Sequence, residues 1–316
     1  MIEAATLVMG AAVGYDAAMA TPFIRSLRRS GYRGHVALVV DDVLARELAG
    51  NPEFQNVITI EAPRWLAARL GLLQGPDFLW RPWKVLFMLA RLVVGAIGLL
   101  PIASGRRTLL QIALAQHFYQ PTETRYFHYY RFLESRRYSR VLLSDVRDVL
   151  FQVDPFTQLP ASGLSVGIET RRLTLESQHF NARQLRLAYG EEGVRQLGSK
   201  PISCCGVTGG DSDSMRRYLQ CMIAQILRLG PNAAREPMDQ ALHNFILWNG
   251  LAGPFHELDS LAGPIATLAM HDQHELRLSS DGRLLNRDGS VPSVVHQHDR
   301  WPAVAEALTR ALAGSG

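Results

Sequence analysis

A short apolar strand that runs straight into acids most constrains what this chain can fold into. Val141, Leu142 and Leu143 form an uninterrupted hydrophobic run, the pattern of a strand buried on both faces. The run stops at Ser144-Asp145, which places Asp145 at the carboxyl end of that strand. Asp148 follows three residues later, then a second apolar run, Val149 to Phe151, closed by Asp154-Pro155. Open α/β sheets bind ligands outside the carboxyl ends of their strands. Two carboxylates there, with Arg147 between them, suit a divalent cation carrying a phosphorylated ligand. The plainer reading is a turn in which the aspartates bond their own backbone.

The rest of the chain supplies the sheet for such a strand. Ala5 to Ala12, Val36 to Val40, Val57 to Ile60 and Leu164 to Ile168 read as further strands. Helices are predicted between them, one opening at Thr21-Pro22 with threonine as N-cap and another over Val43 to Ala49. Further helices are expected over Thr122 to Leu133, Asn181 to Tyr189 and Met215 to Leu229, and from Pro237 to Trp248. Strands alternating with helices predict an α/β fold with a doubly wound, mostly parallel central sheet and helices on both faces. The tail reads as a hairpin around Ser280-Asp281-Gly282, a short strand at Val294-Val295, and a closing helix from Trp301.

With 316 residues and 47% hydrophobic content, one domain over 1–316 can bury a sizeable core. The net charge of +4 is spread out, which fits an anionic ligand or an anionic membrane surface and argues against nucleic acid as a partner. Three cysteines, Cys204, Cys205 and Cys221, form neither a disulfide framework nor a C-x-x-C metal site. Together with an N-terminus that has no basic leader region, they imply a cytoplasmic protein.

Residues 64–110 break the strand–helix rhythm as a hydrophobic helical insertion. Val85 to Ile102 is almost wholly apolar, yet Arg91 lies inside it, and Gly95, Gly98 and Pro101 interrupt it. Three placements are open: a helix or hairpin lying on a membrane surface, a covered core helix, or a span of the ~20 residues that cross a bilayer. The interfacial placement makes the chain peripheral on the inner face of the membrane.

Several chemistries are excluded or weak. Gly10-Ala11-Ala12-Val13-Gly14 is not a dinucleotide fingerprint, and no P-loop occurs. Val39-Val40-Asp41-Asp42 followed by Leu142-Leu143-Ser144-Asp145 has the acids of a signalling receiver domain, but the separation is too long for a fold of about 120 residues. His271, His274, His296 and His298 offer a zinc set on loose loop spacing.

Taken together, the motifs resemble a GT-A nucleotide-sugar glycosyltransferase. Ala11 to Tyr15 stands where that group's first strand and tyrosine hold the nucleotide. Asp145 to Asp148, running into Asp154-Pro155-Phe156, matches its D-x-D motif with one extra residue, so Asp145 alone, Asp148 alone or both are candidate ligands. Cys204-Cys205-Gly206, Asp239-Gln240 with Asn244, and the late His296 complete the order over nearly the whole chain. The resemblance implies Mn²⁺ or Mg²⁺ on Asp145, Asp148 and His296, with retention of stereochemistry. It implies a nucleoside-diphosphate sugar bound through Ala11, Tyr15, Asp42, Arg125, Asp145 and Arg147. Asp239 and Gln240 become the catalytic candidates. Cys205, Gly206 and Asn244 become the sugar or acceptor pocket, for a glycan, lipid-linked or protein acceptor. The alternatives on the same sheet are a nucleotidylyltransferase-like protein or a membrane-associated scaffold with an inactive site. The first Gly-rich turn, Gly10 to Met19, carries no basic residue for a triphosphate, which favours a diphosphate sugar.

Overall fold

The computed structural model describes residues 5–63, 80–230 and 236–314. Strand β1 (Leu7–Ala11) is followed by α1 (Ala17–Arg29), β2 (His35–Val40), α2 (Asp42–Ala49) and β3 (Val57–Glu61). Two helices, α3 (Trp80–Gly98) and α4 (Ser104–Ala115), then lead into α5 (Pro121–Glu134) and β4 (Arg140–Ser144). Next come β5 (Val149–Phe151), the short α6 (Pro155–Gln158), β6 (Leu164–Ile168), α7 (His179–Leu197), β7 (Ser203–Asp211), α8 (Ser212–Ile226) and α9 (Asp239–Trp248). The tail adds β8 (Phe255–Asp259), β9 (Ile265–Thr267), the hairpin β10 (Arg277–Leu278) and β11 (Leu284–Leu285), β12 (Val294–His296) and α10 (Pro302–Gly314).

Seven strands form the main sheet in the order β3-β2-β1-β4-β7-β6-β8. All pairings are parallel except the two that β7 makes, with β4 and with β6. The expected mostly parallel α/β sheet is therefore present. The strand order reverses direction at β1 and β4, where chain connections leave toward opposite edges and a crevice opens. A separate three-stranded sheet, β5-β12-β9, carries the end of the chain back beside β4.

Burial explains the strands. Leu7, Val8 and Met9 of β1 and Val141 and Leu142 of β4 are fully buried, as central strands covered on both faces must be. One cluster packs β1, β4 and β6 against α5, α8 and α9 on one face. A second packs β1, β2 and β4 against α1 and α2 on the other.

Three expectations need correction. Helix α1 begins four residues before Thr21, because the Asp16 carboxylate caps it by accepting from the Met19 N–H at 2.8 Å. Around Cys204-Cys205-Gly206, where no strand was expected, Ser203–Asp211 form the antiparallel strand β7 at the middle of the sheet. Helix α7 runs past Tyr189 to Leu197, with a break at Gly190, whose φ of 69° lies outside the helical region. Of the expected insertion, residues 64–79 lie outside the described residues. The remainder forms α3 and α4, and among the described residues no helix is long and apolar enough to cross a membrane.

Asp41 ties the start of the fold together. One carboxylate oxygen accepts from the N–H groups of Val43 and Leu44 at 3.0 Å each, capping α2. The other accepts from Gly14 N–H at 2.7 Å and so fixes the turn after β1. Asp41→Ala is expected to cost about 1–2 kcal/mol, the usual range for a lost cap. Urea unfolding of the two proteins measures this, and an unchanged midpoint would show that the turn holds itself.

Candidate metal centre and ligand cleft

The carboxyl ends of β1, β4 and β6 and the first residues of antiparallel β7 meet at one edge of the sheet. Asp145 sits just past β4, its backbone N–H bonded to the Gly206 carbonyl at 2.7 Å. Asp148 precedes β5. His296 ends β12, which pairs antiparallel with β5 so that His296 lies opposite Val149. Gln297 then takes a left-handed conformation, φ 59°, and donates its N–H to the Asp148 carbonyl at 2.8 Å. That turn ties the tail to the Asp148 backbone.

As a result His296 Nε2 lies 3.5 Å from Asp145 Oδ2 and 3.8 Å from Asp148 Oδ1. The three ligand atoms fall within 4.8 Å of one another, and they are the one such group among the described residues. Ligands about 2.1 Å from a shared divalent ion stand roughly 3–4 Å apart, so this set fits a cation. The other ring nitrogen, Nδ1, faces Cys204 Sγ at 3.7 Å, which leaves Nε2 turned toward the acids.

Gly206 makes the meeting sterically feasible. A Cβ there would stand 2.3 Å from His296 Cε1 and 2.6 Å from Asp145 Oδ2. The four-histidine alternative is not assembled, since His271 instead turns to Glu275 at 3.3 Å.

Arg125 is the main buried cation here. It projects from α5 and is 8% exposed. Nη1 pairs with Asp145 Oδ1, and Nη2 pairs with Asp239 Oδ2 at 2.8 Å. The resemblance puts Arg125 on the donor; its observed partners are two carboxylates. Burial raises the Asp145 carboxyl, but Arg125 and His296 outweigh it and hold it below the usual range. Asp148, Asp239 and Glu169 go the other way, each raised chiefly by burial. Burial also favours the neutral His296 ring, yet Asp145 and Asp148 more than offset it and raise its pKa. Asp145 and Asp239 share the Arg125 guanidinium while Asp148 and Glu169 act on His296, so carboxyl groups outnumber the buried cations, an excess of negative charge that a divalent cation would relieve.

A cleft adjoins these groups, lined by Ala11, Val13, Tyr15, Pro121, Thr122, Arg125, Asp145, Arg147, Asp148 and Asp239. Arg147 is half exposed at its rim, 3.8 Å from Asp299. Asp42 is not among the lining residues: it faces solvent on α2 and pairs with Arg46 at 3.1 Å. Gln240 lies behind the cleft, accepting from Cys205 N–H at 3.0 Å and donating to Glu169 at 3.4 Å. Asn244 is fully buried, and its amide clamps both backbone groups of Ser203 at 2.8–2.9 Å, so it supports β7. The Cys205 thiol is pushed up by burial and by Asp239, so it stays protonated.

Sequence reasoning assigned no role to Glu169 or Glu123, and gave His298 only a place in the zinc set. Glu169 follows β6 as Asp145 follows β4, and that position was the available signal. Glu123 accepts from the Met238 N–H at 2.7 Å and so anchors the start of α9 behind Asp239. His298 keeps two buried ring nitrogens without hydrogen-bond partners, and burial holds it neutral.

No protein-family model matches the chain, and no curated protein matches it.

Two outcomes follow. Gly206→Ala is expected to abolish high-affinity Mn²⁺ binding in calorimetry while leaving the circular dichroism spectrum unchanged; wild-type affinity in that variant would remove the three-residue site. Burial raises Glu123 to about 8 in the folded protein, above the roughly 4.5 of an unfolded chain. Its favourable contribution is complete below about pH 4.5 and is lost as pH rises through 8. Between pH 5 and 8 the wild type should lose on the order of 3 kcal/mol that Glu123→Gln does not lose, read from paired unfolding curves.

Proposed function

We propose that the chain is a metal-dependent glycosyltransferase of GT-A type, moving a sugar from a nucleoside-diphosphate sugar to an acceptor hydroxyl. The observation that carries this reading is the meeting of Asp145, Asp148 and His296 beside a cleft at the switch point of the sheet. Two carboxylates and an imidazole suit Mn²⁺, and Mg²⁺ less well.

Asp145, Asp148 and His296 would hold the ion, which when bound offsets the charge that a departing diphosphate gains. Tyr15 lines the cleft wall and offers a ring for the base. Arg147, half exposed at the rim, is free to swing from Asp299 onto a phosphate oxygen. Arg125 holds Asp145 by one oxygen and leaves Oδ2 directed to His296. Asp239, held by Arg125 and at the cleft wall, is the group placed to accept from sugar hydroxyls. Gln240 supports the Cys205 backbone on the acceptor side. The three unpaired cysteines fit a reducing compartment, and we place the reaction in the cytoplasm.

Titration calorimetry with UDP, GDP and nucleoside triphosphates, with and without Mn²⁺, tests the ligand class. Metal-dependent binding of a diphosphate is expected, and preference for a triphosphate would favour nucleotidyl transfer instead. In a donor screen scored by nucleoside diphosphate release, Asp145→Asn should lower turnover roughly 10²-fold or more. Unchanged turnover in that folded variant overturns the assignment.

A further inference from the structure

Helix α3 is apolar on two opposite faces. Trp83, Phe87 and Val94 form one stripe that is buried against the core. The opposite stripe, Val85, Leu89 and Leu92, is as apolar and stands 62%, 54% and 68% exposed. It ends beside Leu99, 86% exposed. Among the described residues, nine of the fifteen exposed large hydrophobic side chains lie between Val85 and Leu110, so they are concentrated on one hairpin.

That hairpin is held in shape from within. Arg107 donates from Nη1 to the Gly98 carbonyl at 2.8 Å, and Gln111 donates to the Val94 carbonyl at 3.1 Å. Trp83 and Phe87 meet Phe118, which follows α4. The exposed stripe is therefore presented by a packed element.

Charge decides what covers it. From Phe78 to Thr122 the sequence contains no aspartate or glutamate, while Lys84, Arg91, Arg106 and Arg107 all fall within it. Lys84 and Arg106 form no ion pair among the described residues. A second copy of this chain meeting the face across a two-fold axis would bring like charges together, with no acid on the hairpin itself to pair them. A membrane carrying anionic lipid satisfies both the apolar stripe and its basic flanks.

We propose that α3 and α4 dock this protein on the surface of an anionic lipid bilayer, with the Val85–Leu89–Leu92–Leu99 stripe in the headgroup–acyl boundary. The full chain should float with vesicles of equimolar phosphatidylcholine and phosphatidylglycerol. With phosphatidylcholine alone it should float at least roughly tenfold less. The double variant Leu89→Glu/Leu92→Glu should lose flotation by a similar factor, with circular dichroism and Mn²⁺ binding unchanged. A second variant, Lys84→Glu/Arg106→Glu, keeps the apolar stripe and should lose it too. Three results overturn the proposal: no flotation of the wild type, equal flotation with both vesicles, or a wild-type dimer in size-exclusion chromatography that Leu89→Glu/Leu92→Glu dissociates.

Discussion

The buried guanidinium of Arg125, shared between Asp145 and Asp239, is the interaction on which the site depends. A cation so enclosed is tolerated only when acids meet it, and removing one partner of such a group typically costs 3–5 kcal/mol. This one pairing joins the first turns of α5 to the end of β4 and the start of α9, three elements distant in sequence. It also divides the work of Asp145. One oxygen answers Arg125, and the other is left toward His296. Asp145 therefore stays ionised in a place where burial alone would protonate it.

The second constraint is how the tail returns. His296 is brought to the acids by the small β5-β12-β9 sheet, whose β5 follows Asp148 at once. Because β12 pairs with the strand that leaves the acids, its last residue arrives at the first residue of that strand. A left-handed residue then ends the pairing. The conformation of Gln297 costs of order 1–2 kcal/mol for a non-glycine residue. Its N–H bond to Asp148 and its Oε1, which accepts from Ala269 N–H at 3.3 Å, help offset this.

Much of this was legible in the sequence, for particular reasons. Buried strands such as 141–143 are continuous apolar runs, and their ends are marked by acids, so the sheet and the place of Asp145 could be read directly. The partnership with His296 rested on resemblance, since no local signal connects residues about 150 positions apart. Arg125 was expected on the donor, and its carboxylate partners could not be read, because a helix face of arginine and tyrosine has the same pattern whether it meets solvent, a phosphate or buried acids. Segment 203–211 misled for a physical reason. Three of its nine residues are glycine, which is depleted in strands and weakens the strand signal. Here they lie in a central strand because α9 and the site crowd against it. Asn244, which carries a motif position, bonds the backbone of that strand.

The antiparallel setting of β7 turns this crowding into a site. In a wholly parallel sheet, the edge that gathers strand ends receives only residues that follow strands. Reversing one central strand delivers its opening residues, Ser203 to Gly206, to that same edge. An incoming strand brings backbone close to the neighbouring ends, because its ladder is already forming there: the Gly206 carbonyl accepts from Asp145 N–H. Backbone this near leaves no room for a side chain, and the space a Cβ would fill is occupied by Asp145 Oδ2 and the His296 ring. The glycine, the reversed strand and the closeness of acid to imidazole are thus one requirement. A sheet with β7 parallel would place Gly206 at the far end, and the edge where acid and imidazole meet would receive other residues of that strand, whose side chains would need the same space.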